Sequence, residues 1–182
     1  MQKIYFTLLA TFFLLLTGCA SIDKYNATKD IKVDAATDPK ANLGGYKTYA
    51  WLGAGELLND PNKRWKQTDL PIAGDIKYLI DRELRKHGIN LSEPANADLA
   101  VAFFLGIDME AQKLKKNPDT KVEMIENVPE GALIIALIDT KSGFVVWVGE
   151  AVADLMDNPS DEVVRERLDY AVTEMIKLLP KK

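Results

Sequence analysis

Residues 99–109 read LAVAFFLGIDM, and in them Leu99, Val101, Phe103, Leu105, Ile107 and Met109 alternate with Ala100, Ala102, Phe104, Gly106 and Asp108. Successive side chains of an extended chain point to opposite faces, so this period of two predicts a β-strand with one heavily apolar face. That face needs a cover. Upstream, Ile72, Ile76, Leu79, Ile80, Glu83 and Leu84 recur at spacings of three and four, which predicts a helix over about 69–87 with an aliphatic stripe. Asp69 as a cap, Pro71 near the start and Gly88 as the stop bracket that helix, and Asp75, Lys77, Arg82 and Arg85 fall largely off its stripe.

Working outward, Leu133–Ile138 is continuously apolar, 139–143 reads DTKSG, and Phe144–Val148 is apolar again. This is the pattern of a hairpin, and strands apolar on both faces belong in the middle of a sheet. Between the two regions, Ala111–Gly131 is polar and broken by Asn117, Pro118 and Asp119, with Val122–Ile125 readable either as loop or as a strand paired back on its predecessor. Asn158-Pro159, with Asp161 following, resembles a helix start. Val164, Leu168, Ala171, Val172, Met175, Ile176 and Leu179 then form a helical stripe that Pro180 closes. Toward the amino end, Tyr46–Trp51 predicts a strand after Gly44-Gly45, and Ile31–Asp34 a short edge strand. Leu52–Gln67, with two glycines and Pro61, predicts a long surface loop. The element order gives an α+β fold: a two-layer sandwich of a mostly antiparallel sheet, four to six strands wide, with both amphipathic helices packed on one face.

The first eighteen residues carry Lys3, an apolar run from Ile4 to Leu16, and then Thr17 and Gly18 before Cys19. That is the layout of a secretory signal peptide. The thirteen residues of that run rise only about 20 Å as a helix, short of a hydrocarbon core of about 30 Å, so a permanent transmembrane helix fits less well. Leu16, Thr17, Gly18 and Cys19 resemble the lipobox of bacterial lipoproteins. That resemblance implies cleavage before Cys19, acylation with palmitate-type chains on it, and a membrane as covalent partner. Two or three acyl chains suffice for stable anchoring. Ala20 and Ser21 follow instead of the aspartate that retains many such proteins in the inner membrane, which implies the outer membrane, facing the periplasm. Residues 19–30, polar and patternless after the cysteine, are expected to form a flexible tether, and 31–182 a single globular domain.

Processing would remove one charge, Lys3, leaving 22 basic against 27 acidic side chains over 164 residues. A chain of that length buries about 70% of its unfolded surface and needs neither disulfide nor metal to fold. Cys19 is its only cysteine. Mild acidity argues against a nucleic-acid partner.

The lipobox, the YKTYAW stretch at 46–51, Ala97-Asp98, and the hairpin whose Asp139, Gly143, Trp147 and Gly149 fit D-x-x-x-G-x-x-x-W-x-G together resemble one family. The chain is similar to the bacterial lipoproteins grouped as domain of unknown function 4136 (DUF4136), over about Ile31–Leu179. The resemblance implies an envelope lipoprotein of undetermined activity and supplies no active-site residues.

The residues themselves offer no catalytic constellation. His87 is the only histidine, placed where a helix carboxyl end would favour a partly positive ring, and no metal or cofactor is expected. Asp108 and Glu110 share a strand face and, on its wet side, serve solubility. The most suggestive surface element is Lys63, Arg64, Trp65 and Lys66, cations flanking an indole, which suit an anionic headgroup, a glycan or a partner protein. Lys113, Lys115 and Lys116 form a second basic cluster, while Trp51 and Trp147 are expected to fill the core. The leading expectation is a non-enzymatic interaction module for an envelope protein or polymer. A carrier of a small apolar ligand is the alternative, and an envelope hydrolase would require a convergent site that the sequence does not display.

Overall fold

Six strands form one sheet, and two helices cover one of its faces in the computed structural model, which describes residues 27–59, 71–116, 123–156 and 158–180. The strands are β1 (Lys32–Thr37), β2 (Thr48–Asn59), β3 (Asn90–Leu91), β4 (Leu99–Lys116), β5 (Glu123–Asp139) and β6 (Val145–Asp154), with α1 at Ile72–Lys86 and α2 at Asp161–Lys177. Pairing is antiparallel from β1 through β6 and β5 to β4, and parallel from β4 to β2 and from β2 to β3. Parallel neighbours need a crossover, and α1 supplies it between β2 and β4. The α+β sandwich with a mostly antiparallel sheet is therefore the architecture found.

The period of two holds as read from Leu99 to Leu105, before a bulge between Gly106 and Met109 interrupts the ladder. Leu99, Val101, Phe103 and Leu105 on β4 and Leu133, Ile135 and Leu137 on β5 are buried beneath the helices, as are Trp147 and Ala151 on β6. From α1 come Ile76, Ile80 and Leu84, and from α2 Val172, Met175 and Ile176, all fully buried against that face. The hairpin strands β5 and β6 lie centrally, as their two-sided apolarity requires.

Helix ends differ from expectation in detail. Asp69 lies outside the described residues, and α1 starts after Pro71 with no side-chain cap. Its other end closes on Gly88 at φ 77: Ile89 N–H donates to Leu84 O at 3.0 Å and Gly88 N–H to Arg85 O at 2.9 Å. That pair of bonds needs a left-handed residue, which is why glycine stops the helix. For α2 the cap is Ser160, whose hydroxyl accepts from Val163 N–H at 3.3 Å, rather than Asn158, which turns the chain at φ 49 two residues earlier. A free oxygen acceptor facing the first turn decides the start, and Ser160 is the residue that presents one.

Two expectations about irregular segments are corrected, and one reading left open between loop and strand is decided for strand. The predicted loop Leu52–Gln67 begins as strand: β2 continues to Asn59, pairing with β4 after a bulge in which Trp51→Glu56 spans the same stretch as Val101→Phe103. Glycines at 53 and 55 fit such a bulge and do not end the ladder. The polar stretch after Met109 is strand too, with β4 running to Lys116 and β5 returning from Glu123, so Glu123–Ile125 pairs back on Lys116–Leu114. Asn117–Asp119 and Val122 lie outside the described residues. Finally, 27–30, read as the end of a flexible tether, is docked on the domain. Arg167 Nη1 and Nη2 bind Asp30 Oδ1 and Oδ2 at 2.8 and 2.7 Å, Arg167 also donates to Ala27 O, and Asp154 N–H donates to Asp30 Oδ2 at 3.0 Å. Thr28 is buried beside them.

Candidate binding surfaces

YKTYAW and Ala97-Asp98 meet at one end of the sheet. Asp98 Oδ2 accepts from Lys47 N–H at 2.8 Å, Thr48 N–H at 3.0 Å and Thr48 Oγ1 at 3.0 Å, while Asp98 N–H donates to Thr48 Oγ1 at 3.0 Å. Next to it, Tyr46 Oη donates to Asp139 Oδ2 at 2.9 Å, and Asp139 Oδ1 accepts from the turn amides of Lys141 and Ser142 at 3.1 and 2.6 Å. Amide donors from Lys47 hold the Asp98 carboxyl below its ordinary range, and those of Ser142 do the same for Asp139. Each carboxylate is thus spent on backbone N–H groups that lie outside the ladders. These are clasps joining the start of β2 to β4 and the β5–β6 turn, and their chemistry is structural.

Tyr46 carries a measurable signature of this clasp. Burial, then the bond to Asp139 and its charge, push the phenol up to about 12 from 10.0. Between those pH values the folded chain keeps a proton that the unfolded chain has lost, so the stabilisation is whole below pH 10 and declines as pH rises to about 12. Tyr49, whose hydroxyl donates to Asp81, is raised in the same direction. Tyr46→Phe should therefore flatten, without abolishing, the alkaline fall in melting temperature. Parallel curves for the two proteins would refute the assignment.

A cavity of about 500 Å³ opens beside the helix ends, with Leu43, Ile89, Leu99, Leu137 and Leu179 as its apolar lining and Glu83, Lys86, His87, Thr173 and Lys177 as its polar side. Volumes of this size accommodate small ligands. Glu83 is 5% exposed. Its Oε1 receives Arg82 Nε at 2.6 Å and Lys86 Nζ at 2.8 Å, and Arg82 reaches across to Asp169 on α2. Burial opposes its charge, but the hydrogen bonds from Lys86 and Arg82 outweigh that and keep the carboxyl below its ordinary value. The network satisfies its own charges and pins α1 to α2. His87 caps α1 and lines the cavity mouth, and among the described residues no group of three or more potential metal ligands comes together.

Among the described residues, nothing forms a second layer on the sheet face away from the helices. Ala102, Ala136 and Val148 stand side by side on β4, β5 and β6 of that face, Phe104 pairs with Ile134 and Val152 with Ala132, and all of them are half-buried. Phe144 at the hairpin turn is 71% exposed and Val145 48%. Glu150 stands opposite Ile134 on β6, between Val148 and Val152, and Asp34 and Lys32 carry charge on along β1. This bare surface explains the two-sided apolarity of the hairpin better than central position alone, and its alternation was legible at 99–105 once the helix-facing set was assigned.

Of the residues singled out in the sequence, Cys19, the lipobox residues Leu16, Thr17 and Gly18, and Lys63, Arg64, Trp65 and Lys66 lie outside the described residues. Trp51 and Trp147 stand on the helix-covered face, Trp147 at 1% exposure and Trp51 edge-on to Phe103 with Lys77 Nζ 5.4 Å from its ring centre. No helix among the described residues is long and apolar enough to cross a membrane.

Residues 33–181 match the family model described as Domain of unknown function (DUF4136). No curated protein matches. A solved DUF4136 family protein from Bacteroides thetaiotaomicron is 13% identical, covering 81% of this chain and 95% of its own at a TM-score of 0.55. A PDZ domain protein from Parabacteroides distasonis is 19% identical over 88% of this chain, which spans 39% of that longer protein, at 0.54. The PelC dodecamer from Paraburkholderia phytofirmans is 13% identical, with 84% and 99% coverage, at 0.49. At such identities the likeness is one of fold.

Proposed function

We propose that this chain, which belongs to the DUF4136 family, is a lipid-anchored envelope lipoprotein whose domain acts as a non-enzymatic interaction module at the periplasmic face of the outer membrane. The observation that carries the interaction reading is the largely apolar sheet face that no described element covers. A contiguous apolar surface without a covering layer is unfavourable in water and marks a contact site. Its chemistry fits a protein partner better than a charged or polyhydroxylated polymer, which would leave Phe104, Ile134 and Val148 without apolar contacts. The lipid anchor rests on Leu16–Cys19. With 27–30 docked, seven residues from Ala20 to Asn26 separate that cysteine from the domain, and they span at most about 25 Å. The domain then works close to the lipid surface.

A photoreactive side chain placed at Ala136, on the bare face, should capture an envelope protein in living cells, while one at Lys177, on the helix side, should not. Equal capture from both positions, or none from Ala136, refutes the interaction reading. Labelling with radioactive palmitate should mark the chain and fail for Cys19→Ser; an unlabelled wild type removes the anchor. The second reading, a carrier of a small apolar ligand, is favoured by the cavity beside α1 and α2. Native mass spectrometry that found a copurifying small molecule, lost on Leu179→Trp, would select it.

A further inference from the structure

The β4–β5 pair outruns the rest of the sheet. β2 leaves β4 at Gly106, where the ladder bulges before Met109, and β6 leaves β5 at Glu130. From Glu110↔Pro129 to Lys116↔Glu123, seven residue pairs continue with no other described strand on either side. At about 3.4 Å per residue this is an arm about 24 Å long. A two-stranded ribbon is marginal alone in water, and its outer edges present unpaired N–H and C=O groups. Among the described residues, nothing pairs with either outer edge of this arm, and its own ladder is what holds it.

Charge separates the two edges. On the β4 side the seven positions carry Glu110, Lys113, Lys115 and Lys116, and on the β5 side Glu123 and Glu126. One edge strand is net basic by two and the other net acidic by two. Pairing β4 with β4 or β5 with β5 would set like charges side by side, which is destabilising. Placing β4 of one copy beside β5 of the next, with both arms pointing the same way, makes an antiparallel ladder in which every strand has neighbours of opposite sign.

We propose that this arm is a self-association element, in which the basic β4 edge of one copy adds to the acidic β5 edge of a second copy of this chain. The contact is heterologous, so it leaves one edge free on each terminal copy and propagates to a ring if the rotation closes or to a filament if it does not. Asp30 binds the amide of Asp154, which pairs with Glu130, so the arm leaves from the end of the sheet where the amino-terminal segment enters. Copies side by side would thus present their amino ends in one direction, a geometry compatible with a common surface.

The test uses the full chain in mild detergent, with mass read by native mass spectrometry and light scattering. The wild type should assemble beyond a monomer at micromolar concentration, and salt should weaken the assembly. Lys113→Glu/Lys115→Glu/Lys116→Glu makes both edges acidic, and Glu123→Lys/Glu126→Lys makes both basic. Each alone should raise the apparent dissociation constant at least about tenfold. An equimolar mixture should reassemble, because acidic and basic arms then alternate. Zero-length carbodiimide coupling of isotopically mixed wild-type copies should join Lys115 or Lys116 of one copy to Glu123 or Glu126 of another, a readout that needs no variant to fold. A monomeric wild type, normal assembly of either variant alone, a mixture that stays apart, or couplings confined within single chains would each overturn the proposal. Arms that bind anionic vesicles while the chain stays monomeric would assign them to the lipid surface instead.

Discussion

Trp147→Ala should lower unfolding free energy by about 3–5 kcal/mol, measured by denaturant titration, because it empties the largest fully buried side chain of the core. The indole owes its place to Gly149. A Cβ at 149 would sit 2.4 Å from Trp147 Cη2 and 3.0 Å from Cζ2, so the ring lies flat over the glycine two residues on, along the same face of β6. Gly149→Ala should therefore cost about 1–3 kcal/mol by overpacking, since the buried ring has nowhere to retreat. The two effects share a cause and should not add. Trp147→Phe removes the outer ring atoms that a new Cβ would meet, so Gly149→Ala in that background should be milder by about 0.5–3 kcal/mol than in the wild type. Trp147→Phe itself should be milder than Trp147→Ala, partly because indole Nε1 is buried without a hydrogen-bond partner among the described residues. Strict additivity in this cycle would show that ring and glycine do not contact as described.

Arg167→Ala should cost about 2–3 kcal/mol and release the amino-terminal segment. Arg167 and Asp30 are 13% and 19% exposed, so the bidentate pair is shielded enough to matter but wet enough to fall short of a fully buried one. Removing the guanidinium leaves Asp30, Ala27 O and Asp154 O short of their shared donor. Trypsin should then cut after Lys29 at a rate far above that of the wild type, and Arg167→Lys, which keeps charge but loses the fork, should fall between. The acid limb gives a second check. The Arg167 bond holds the Asp30 carboxyl below its ordinary 3.8. A depressed folded-state pKa contributes stability above the unfolded value and loses it as pH falls through the folded one. The variant should therefore show a shallower loss of stability below about pH 4 than the wild type. Unchanged proteolysis at Lys29 would mean that the docked segment is held by something other than Arg167.

The functional stake of that salt bridge is reach. If the chain is anchored through Cys19, freeing 27–30 lengthens the flexible span from seven residues to eleven, from about 25 to about 38 Å at full extension. The proposed arm and the amino-terminal segment share one end of the sheet, so the reach also governs how arms of neighbouring copies align.

What could be read in advance and what could not divides along the range of the interactions. The period of two at 99–105, the stripes of α1 and α2, and the DTKSG turn are local. Each is set by side-chain direction over a few residues or by a φ that only certain residues adopt, so the α+β sandwich followed from the chain alone. The motif residues Tyr46, Asp98, Asp139, Trp147 and Gly149 were visible as a pattern, but their roles as clasps and as a ring on a glycine needed the strands brought side by side. Residues 52–59 read as loop, and 111–131 stayed undecided between loop and strand, because glycines and polar composition hide a ladder whose hydrogen bonds come from a neighbouring backbone. Asp30 looked like tether because its partner, Arg167, stands 137 positions away. Local geometry is written in neighbouring residues, whereas backbone pairing and a long-range ion pair depend on which distant segments the closed sheet makes adjacent.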